Sequence, residues 1–284
     1  MRGKLGGKSM NYSRILFVDL DYTLLNDDKT VSQKNREAIQ RALAAGNYVV
    51  VATGRPVETG RMVVKDLGLT IPGCYMIAFN GAVLYDCSAD RILYEKTIPV
   101  QYVYQLFDKA HRAGLYIQTY NKTDILTEKH TKELDYYTRH NKMTYKLQPD
   151  VAMALESEPY KVLIINLKSR KILEDFQANN SGWTEGKMST FFSCNQYLEY
   201  CPLGVSKGAS IEYLCSFLNI PMEHTIAVGD EKNDVSMIEA ANIGIAVKNA
   251  VKEARDAADY ITENDNNHDA IAEVISKFIF NEEH

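Results

Sequence analysis

Residues Ile15 to Val18 form a short, nearly all-apolar run, the pattern of a strand buried on both faces. A polar loop follows. Ser32 then offers an N-cap, Ala38, Ile39, Ala42 and Leu43 recur at helical spacing, and Gly46 closes the segment. Tyr48 to Val51 is rich in β-branched residues, and after a further helical stretch Met76 to Phe79 is apolar again. Strand, helix, strand, helix, strand predicts a parallel sheet with right-handed crossovers. The rhythm returns near the end: a helix over 206–218, a strand over 225–228, a helix over 235–241, a strand over 243–247 and a closing helix over 270–280.

The middle of the chain differs. From about Cys87 to Gln196 it is richer in Tyr, Lys and Glu, and its strands at 116–120 and 188–193 tend to alternate, while 161–167 is more continuously apolar. Helices are expected over 101–113, 129–140 and 169–178. This reads as an α+β domain, its sheet open on one face, inserted into an α/β domain with a Rossmann-like parallel sheet core. The expected divisions are a core of 11–86 and 197–284 around an inserted domain of 87–196. Residues 1–10 are basic and Gly-rich, lack the apolar stretch of a signal peptide, and are set aside as a disordered or non-native arm.

Length and composition fit this picture. The 284 residues suffice for two modest domains, and 45% hydrophobic with 24% charged residues is ordinary for a globular protein. A net charge of −5 gives no broad positive field for nucleic acid or an anionic membrane, so neither is expected as a partner. The five cysteines lack zinc-finger or Cys-x-x-Cys spacing and read as reduced core residues of a cytoplasmic protein. His111, His130 and His140 fall on helices without a carboxylate pattern that suggests a metal site.

Four polar clusters punctuate the apolar pattern. Asp19-Leu20-Asp21-Tyr22-Thr23 follows the first strand, where ligands of open α/β sheets bind. Two carboxylates held that close either share a cation or have their proton affinities driven apart. Thr53-Gly54-Arg55 ends the second strand and offers a hydroxyl and an amide for phosphate oxygens. Lys207 opens a helix within Gly204-Val205-Ser206-Lys207-Gly208. Gly229-Asp230-Glu231-Lys232-Asn233-Asp234 gathers acids after another buried strand, and hard oxygen ligands of this kind suit magnesium. Taken singly, each cluster also reads as an ordinary turn, surface lysine or acidic helix start.

Their order and placement resemble the haloacid dehalogenase-like superfamily, whose motifs run D-x-D-x-T, then Ser or Thr, then Lys, then G-D-x-x-N-D or a close variant. The similarity extends over nearly all of residues 13–284. It resembles most the Cof-like branch, in which an α/β cap lies between the second and third motifs; Phe79-Asn80-Gly81-Ala82 and Leu198-Glu199-Tyr200 carry that likeness too. The resemblance implies a magnesium-dependent phosphatase with an aspartyl-phosphate intermediate. Asp19 is then the nucleophile, and Asp21 the acid and base. Magnesium is held by the Asp19 carboxylate, the Asp21 carbonyl and Asp230, with Asp234 orienting or binding through water and Glu231 near the metal. Thr53, the Gly54 and Leu20 amides, Lys207 and Asn233 hold the phosphoryl oxygens. Arg55 and Asn80 reach the substrate from the core, with Lys161 and Asn195 the candidates on the cap. Like charges repel when a carboxylate meets a phosphate dianion, so a cation and Lys207 are what such a site requires.

The substrate class implied is small phosphorylated metabolites, sugar phosphates foremost and nucleotide or cofactor phosphates behind, acted on by a monomer or weak homodimer. Transfer to a second alcohol, as in a phosphotransferase or phosphomutase, stays open, as does a non-catalytic sensor of a phosphorylated ligand. One departure stands out: Tyr22 occupies a position where the family usually has Gly. The expectation is that the loop tolerates Tyr without a left-handed backbone, and that its ring narrows substrate access.

Overall fold

The computed structural model describes residues 13–141 and 143–282. The expected arm at 1–10 lies outside the described residues. The chain opens with β1 (Ile15–Asp19), α1 (Gln33–Ala44), β2 (Tyr48–Ala52), α2 (Val57–Asp66) and β3 (Cys74–Ala78), and then turns back through the hairpin β4 (Val83–Asp86) and β5 (Arg91–Glu95). Every residue of β1 is buried, as its unbroken apolar run requires. Ser32 caps α1, its side chain accepting from the Asn35 amide, and Gly46 turns the chain at φ +82°.

The second domain comprises α3 (Val100–Arg112), β6 (Tyr116–Tyr120), β7 (Asp124–Thr127), α4 (Lys132–Asn141), β8 (Thr144–Leu147), β9 (Val162–Ile165), α5 (Arg170–Thr184), β10 (Met188–Cys194) and β11 (Tyr197–Pro202). The core resumes with α6 (Lys207–Leu218), β12 (Thr225–Gly229), α7 (Val235–Ala240), β13 (Ile243–Ala246), α8 (Lys252–Ala257), β14 (Tyr260–Ile261) and α9 (Ala270–Val274). The closing helix expected over 270–280 is α-helical only to Val274 and continues as a wider π turn over Ile275–Ile279.

Among the described residues, two sheets form. The core sheet has eight strands in the order β14-β13-β12-β1-β2-β3-β4-β5, parallel from β14 to β3, with β4 and β5 antiparallel at one edge. Strand β1 lies at its centre, flanked by β2 on one side and β12 on the other, which makes the end of β1 the topological switch point. The six-stranded cap sheet runs β10-β11-β9-β6-β7-β8. Strands β4 and β5, up to Glu95, belong to the core sheet, and β11, from Tyr197, to the cap sheet. The divisions expected at 86/87 and 196/197 therefore cut at different points from the sheets.

At its centre the cap sheet is covered on both faces, although its edge strand β8 is exposed. Val162 and Ile164 pack with residues of α3 and α5, such as Leu106 and Leu173. Leu163 and Ile165 join the large core cluster with Tyr120, Leu134 and Tyr137, together with Phe79 and Ala82 of the core domain. Both faces of β9 are covered, so its sequence is continuously apolar instead of alternating.

Candidate active site

The residues singled out in the sequence converge beyond the carboxyl ends of the parallel strands. Asp19 ends β1, Thr53 follows β2, and Asp230 follows β12. Lys207 arrives from the first turn of α6, whose N-cap Ser206 accepts from the Ala209 amide. Gly208 lets α6 lie against α7: a Cβ there would sit 2.1 Å from the Ser236 carbonyl oxygen. That close approach brings Lys207 to the acids.

Asp19, Asp230 and Asp234 are all buried, and a carboxylate oxygen from each lies within 4.8 Å of the others. Lys207, fully buried, places its Nζ 2.5 Å from Asp19 Oδ1 and 2.5 Å from Asp234 Oδ1. Asp234 Oδ2 accepts from the Asp230 and Glu231 amides at 3.0 and 3.1 Å, so both of its oxygens are engaged within the site. Thr23, the last residue of the first motif, donates to Asp230 Oδ1 at 2.8 Å. The sequence motif marks Thr23 by position without indicating this partner.

Burial, then the neighbouring Asp234, push Asp19 up to about 7 against the opposing pull of Lys207. Asp230 is raised well above the usual carboxylate range by burial and by Asp19 and Asp234. Burial depresses an ammonium, yet Asp19 and Asp234 carry Lys207 above its ordinary value. A second cation would relieve the repulsion that one lysine leaves. The donor set, three buried carboxylates with hard oxygens, fits a divalent ion such as magnesium.

Asp21 faces a different partner. Its two oxygens accept from Arg55 Nε at 2.8 Å and Nη2 at 2.6 Å, and Lys29 Nζ lies 3.1 Å from Oδ1. Burial works to raise Asp21, but this fork and Lys29 hold it below its ordinary value. Arg55 borders the central cavity with its guanidinium clamped on Asp21.

Tyr22 adopts φ +62°, so the loop does demand a left-handed residue, contrary to expectation. The turn places Tyr22's carbonyl on the Asn249 side-chain amide at 2.8 Å, and Lys29 Nζ sits 3.9 Å from the ring centroid. These contacts offset part of the backbone strain. The ring is half exposed and borders the cavity, where it was expected.

Three other placements differ from the sequence reading. The Leu20 amide donates to the Ala52 carbonyl at 3.2 Å, because β1–β2 pairing continues one residue past Asp19; it is committed to the sheet and not to phosphate. Asn80 is buried outside the cavity wall, its Nδ2 donating to Glu199 at 2.7 Å and its Oδ1 accepting from Asn233 at 3.0 Å. It joins Asn233 of the core to Glu199 of the cap sheet and is not part of the cavity lining. Asn195 is turned to Arg170 at 3.2 Å and does not line the cavity, whereas Lys161 does. Thr53 and Gly54 line it too, and the Thr53 hydroxyl oxygen accepts from the Arg55 amide at 3.1 Å.

Above the acids lies a cavity of about 310 Å³. The cap closes it with Tyr136 and Tyr137 from α4 and with Tyr197, the latter two rings 5.5 Å apart. His140, read from sequence as a surface residue, is exposed yet borders the mouth, its Nδ1 2.7 Å from the Tyr136 carbonyl oxygen. His111 and His130 lie on the cap surface beside Glu128 and Asp135.

Acids and a lysine buried at the switch point of a parallel sheet, under a second α/β domain, define a class of phosphate-ester hydrolases. Comparison with known proteins narrows the class. A family profile described as haloacid dehalogenase-like hydrolase matches residues 16–275, and the chain belongs to that family, in its Cof-like branch. A haloacid dehalogenase-like hydrolase from Bacteroides thetaiotaomicron superposes with a TM-score of 0.84 at 30% identity, covering 93% of this chain and 99% of that one. The chain is 26% identical to the 5-amino-6-(5-phospho-D-ribitylamino)uracil phosphatase YcsE of Bacillus subtilis, over 94% of this chain and 96% of that one. It is 27% identical to the pyridoxal phosphate phosphatase YbhA of Escherichia coli, over 93% and 97% respectively. The protein is a phosphatase of small phosphorylated metabolites. Among the described residues, no helix is long and apolar enough to cross a membrane.

Proposed function

We propose that this phosphatase is magnesium-dependent, hydrolyses sugar phosphates, and carries the phosphoryl group on Asp19. The observation that carries the reading is the buried Asp19 at the end of β1, 2.5 Å from Lys207 and grouped with Asp230 and Asp234. An Asp19 oxygen attacks phosphorus in line and the ester P–O bond breaks, with Asp21 giving its proton to the leaving alkoxide. Water then attacks the same phosphorus, Asp21 takes a proton from it, and the P–O bond to Asp19 breaks to release inorganic phosphate. Lys207 holds Asp19 in place and offsets charge on the phosphoryl oxygens, which Thr53, the Gly54 amide and Asn233 also hold. Asp19, Asp230 and the Asp21 carbonyl would hold magnesium, with Asp234 fixing their orientation. When bound, the ion supplies positive charge where negative charge builds up in the transition state.

Asp21 carries a proton only after Arg55 and Lys29 loosen, since both favour its charged form. Substrate entry between Arg55 and the cap provides the occasion, because a phosphate ester competes for the same guanidinium. A cavity of about 310 Å³ suits a metabolite of one ring. Its wall combines tyrosine rings with hydroxyl and amide groups, a surface that takes a sugar by stacking and hydrogen bonds.

Phosphate release from p-nitrophenyl phosphate, with magnesium or with EDTA, tests the chemistry in the wild type and in Asp19→Asn. Turnover that needs magnesium and disappears in Asp19→Asn is expected, with sugar phosphates turned over faster than the model ester and phosphate released equal to substrate consumed. No turnover with any divalent metal would instead mark a ligand sensor, and a phosphate deficit would mark transfer to a second alcohol.

A further inference from the structure

We propose that Lys161 and Glu199 are positioning residues through which the closed cap sets the phosphate-binding loops, an inference that rests on assigning Thr53, Gly54 and Asn233 to the phosphoryl group. Both belong to the cap sheet region, Lys161 immediately before β9 and Glu199 within β11. Each is 2% exposed, and they form an ion pair at 3.1 Å in the wall of the cavity. Desolvating two charges is costly and gains little stability over an apolar pair, so such a pair needs another reason to be there.

Its contacts with the core supply one. Lys161 Nζ donates to the Gly54 carbonyl at 2.8 Å. That carbonyl belongs to the Gly54–Arg55 peptide, whose N–H donates to the Thr53 hydroxyl oxygen at 3.1 Å. Pulling the carbonyl toward the cap therefore fixes the peptide plane, and the Thr53 hydroxyl, accepting from below, is left to donate its own hydrogen upward. A second line runs through Glu199. Its Oε1 accepts from Ser193 at 2.5 Å and its Oε2 from Asn80 Nδ2 at 2.7 Å; Asn80 Oδ1 in turn accepts from Asn233 at 3.0 Å.

The fit at this junction is close. A Cβ on Gly54 would lie 3.0 Å from Asn80 Oδ1, so only Gly lets the loop rest on Asn80 without a shift. Asn80 itself is left-handed, at φ +57°. Both loops thus lean on a residue held from the cap side, and one charged pair reaches both. The Lys161–Gly54 and Glu199–Asn80 bonds thus tie both halves of the phosphate cradle to the cap sheet.

Lys161 also borders the cavity, and direct contact with the leaving group is the competing reading. Calorimetric titration with inorganic phosphate in magnesium buffer, alongside kcat and KM on p-nitrophenyl phosphate and several sugar phosphates, separates the two. The variants are Lys161→Met, Glu199→Gln and the double replacement, which leaves no buried charge unpaired and folds even if a single variant does not. Positioning predicts that the double variant loses phosphate affinity, and that kcat falls by one common factor on every ester, on the order of 10- to 100-fold. Wild-type phosphate affinity in the double variant, or losses that track the leaving group, would overturn it. A wild-type protein that neither binds phosphate nor turns over ester would bring down the phosphate-site assignment itself, a result distinct from unaffected variants of an active enzyme.

Discussion

Tyr22 and Asp19 show how much single residues in this site bear. A left-handed backbone costs a residue with a Cβ about 1 kcal/mol or more. At Tyr22 the Lys29 contact on the ring offsets part of that cost. Comparing Tyr22→Gly with Tyr22→Ala isolates the strain, since both lose the ring and only Gly relieves the backbone. Denaturant unfolding should find Tyr22→Gly more stable than Tyr22→Ala by about 1 kcal/mol. Equal stabilities would mean that the loop relaxes around a side chain. For Asp19, raised by burial and by Asp234 from 3.8 to about 7, the folded form keeps a proton that the unfolded chain releases. Stability from this group is therefore full below the unfolded value and is lost as pH rises through about 7, with Asp230 adding in the same direction. Asp21 is shifted the other way, and its effect lies below pH ~4. In EDTA the melting temperature should fall as pH rises from about 5 toward 8, and magnesium should raise it more at the upper end, where it replaces lost protons. A magnesium shift independent of pH would contradict the three-carboxylate account.

At the scale of elements, α6 and α7 decide whether Lys207 meets the acids. Gly208 lies under the Ser236 carbonyl with no room for a methyl group. Gly208→Ala should push the helices apart, costing about 1–3 kcal/mol and most of the turnover, as a melting curve and an ester assay would show. Wild-type activity in that variant would mean that Lys207 does not depend on the packing. Elements of this kind were legible in the sequence: Ser32 as the cap of α1, a helix opening at 206, the unbroken apolar strands, and acids at strand ends. The β4–β5 hairpin was not, because β5 is an exposed edge strand with a weak pattern that reads as the start of the inserted domain. The short β14 and α8 carry too little periodicity to register. The alternating strands around β9 mask the covered second face of the cap sheet's centre, although the continuous run at 161–167 carries its signal. Within the site, motif spacing located the acids and Lys207. It could not show that the Leu20 amide is used by the sheet, that Asn80 turns to the cap, or that Tyr22 is left-handed. Each of those depends on a partner far away in the chain, respectively Ala52, Glu199 and Asn249.

Over the whole molecule, a rigid parallel sheet carries the acids while the cap supplies the tyrosines and the buried Lys161–Glu199 pair. The acids and the tyrosines that face the cavity thus sit on different domains. That division agrees with relatives of similar length whose named substrates, a ribitylaminouracil phosphate and pyridoxal phosphate, share little beyond the ester. The central claim is the phosphoryl group on Asp19, and trapping it is the most direct test. Acid quench during steady turnover with magnesium, followed by peptide mass spectrometry, should find one phosphoryl group on the peptide carrying Asp19, labile to hydroxylamine and absent in Asp19→Asn. A fully active Asp19→Asn enzyme, or a label on any other residue, would contradict the account.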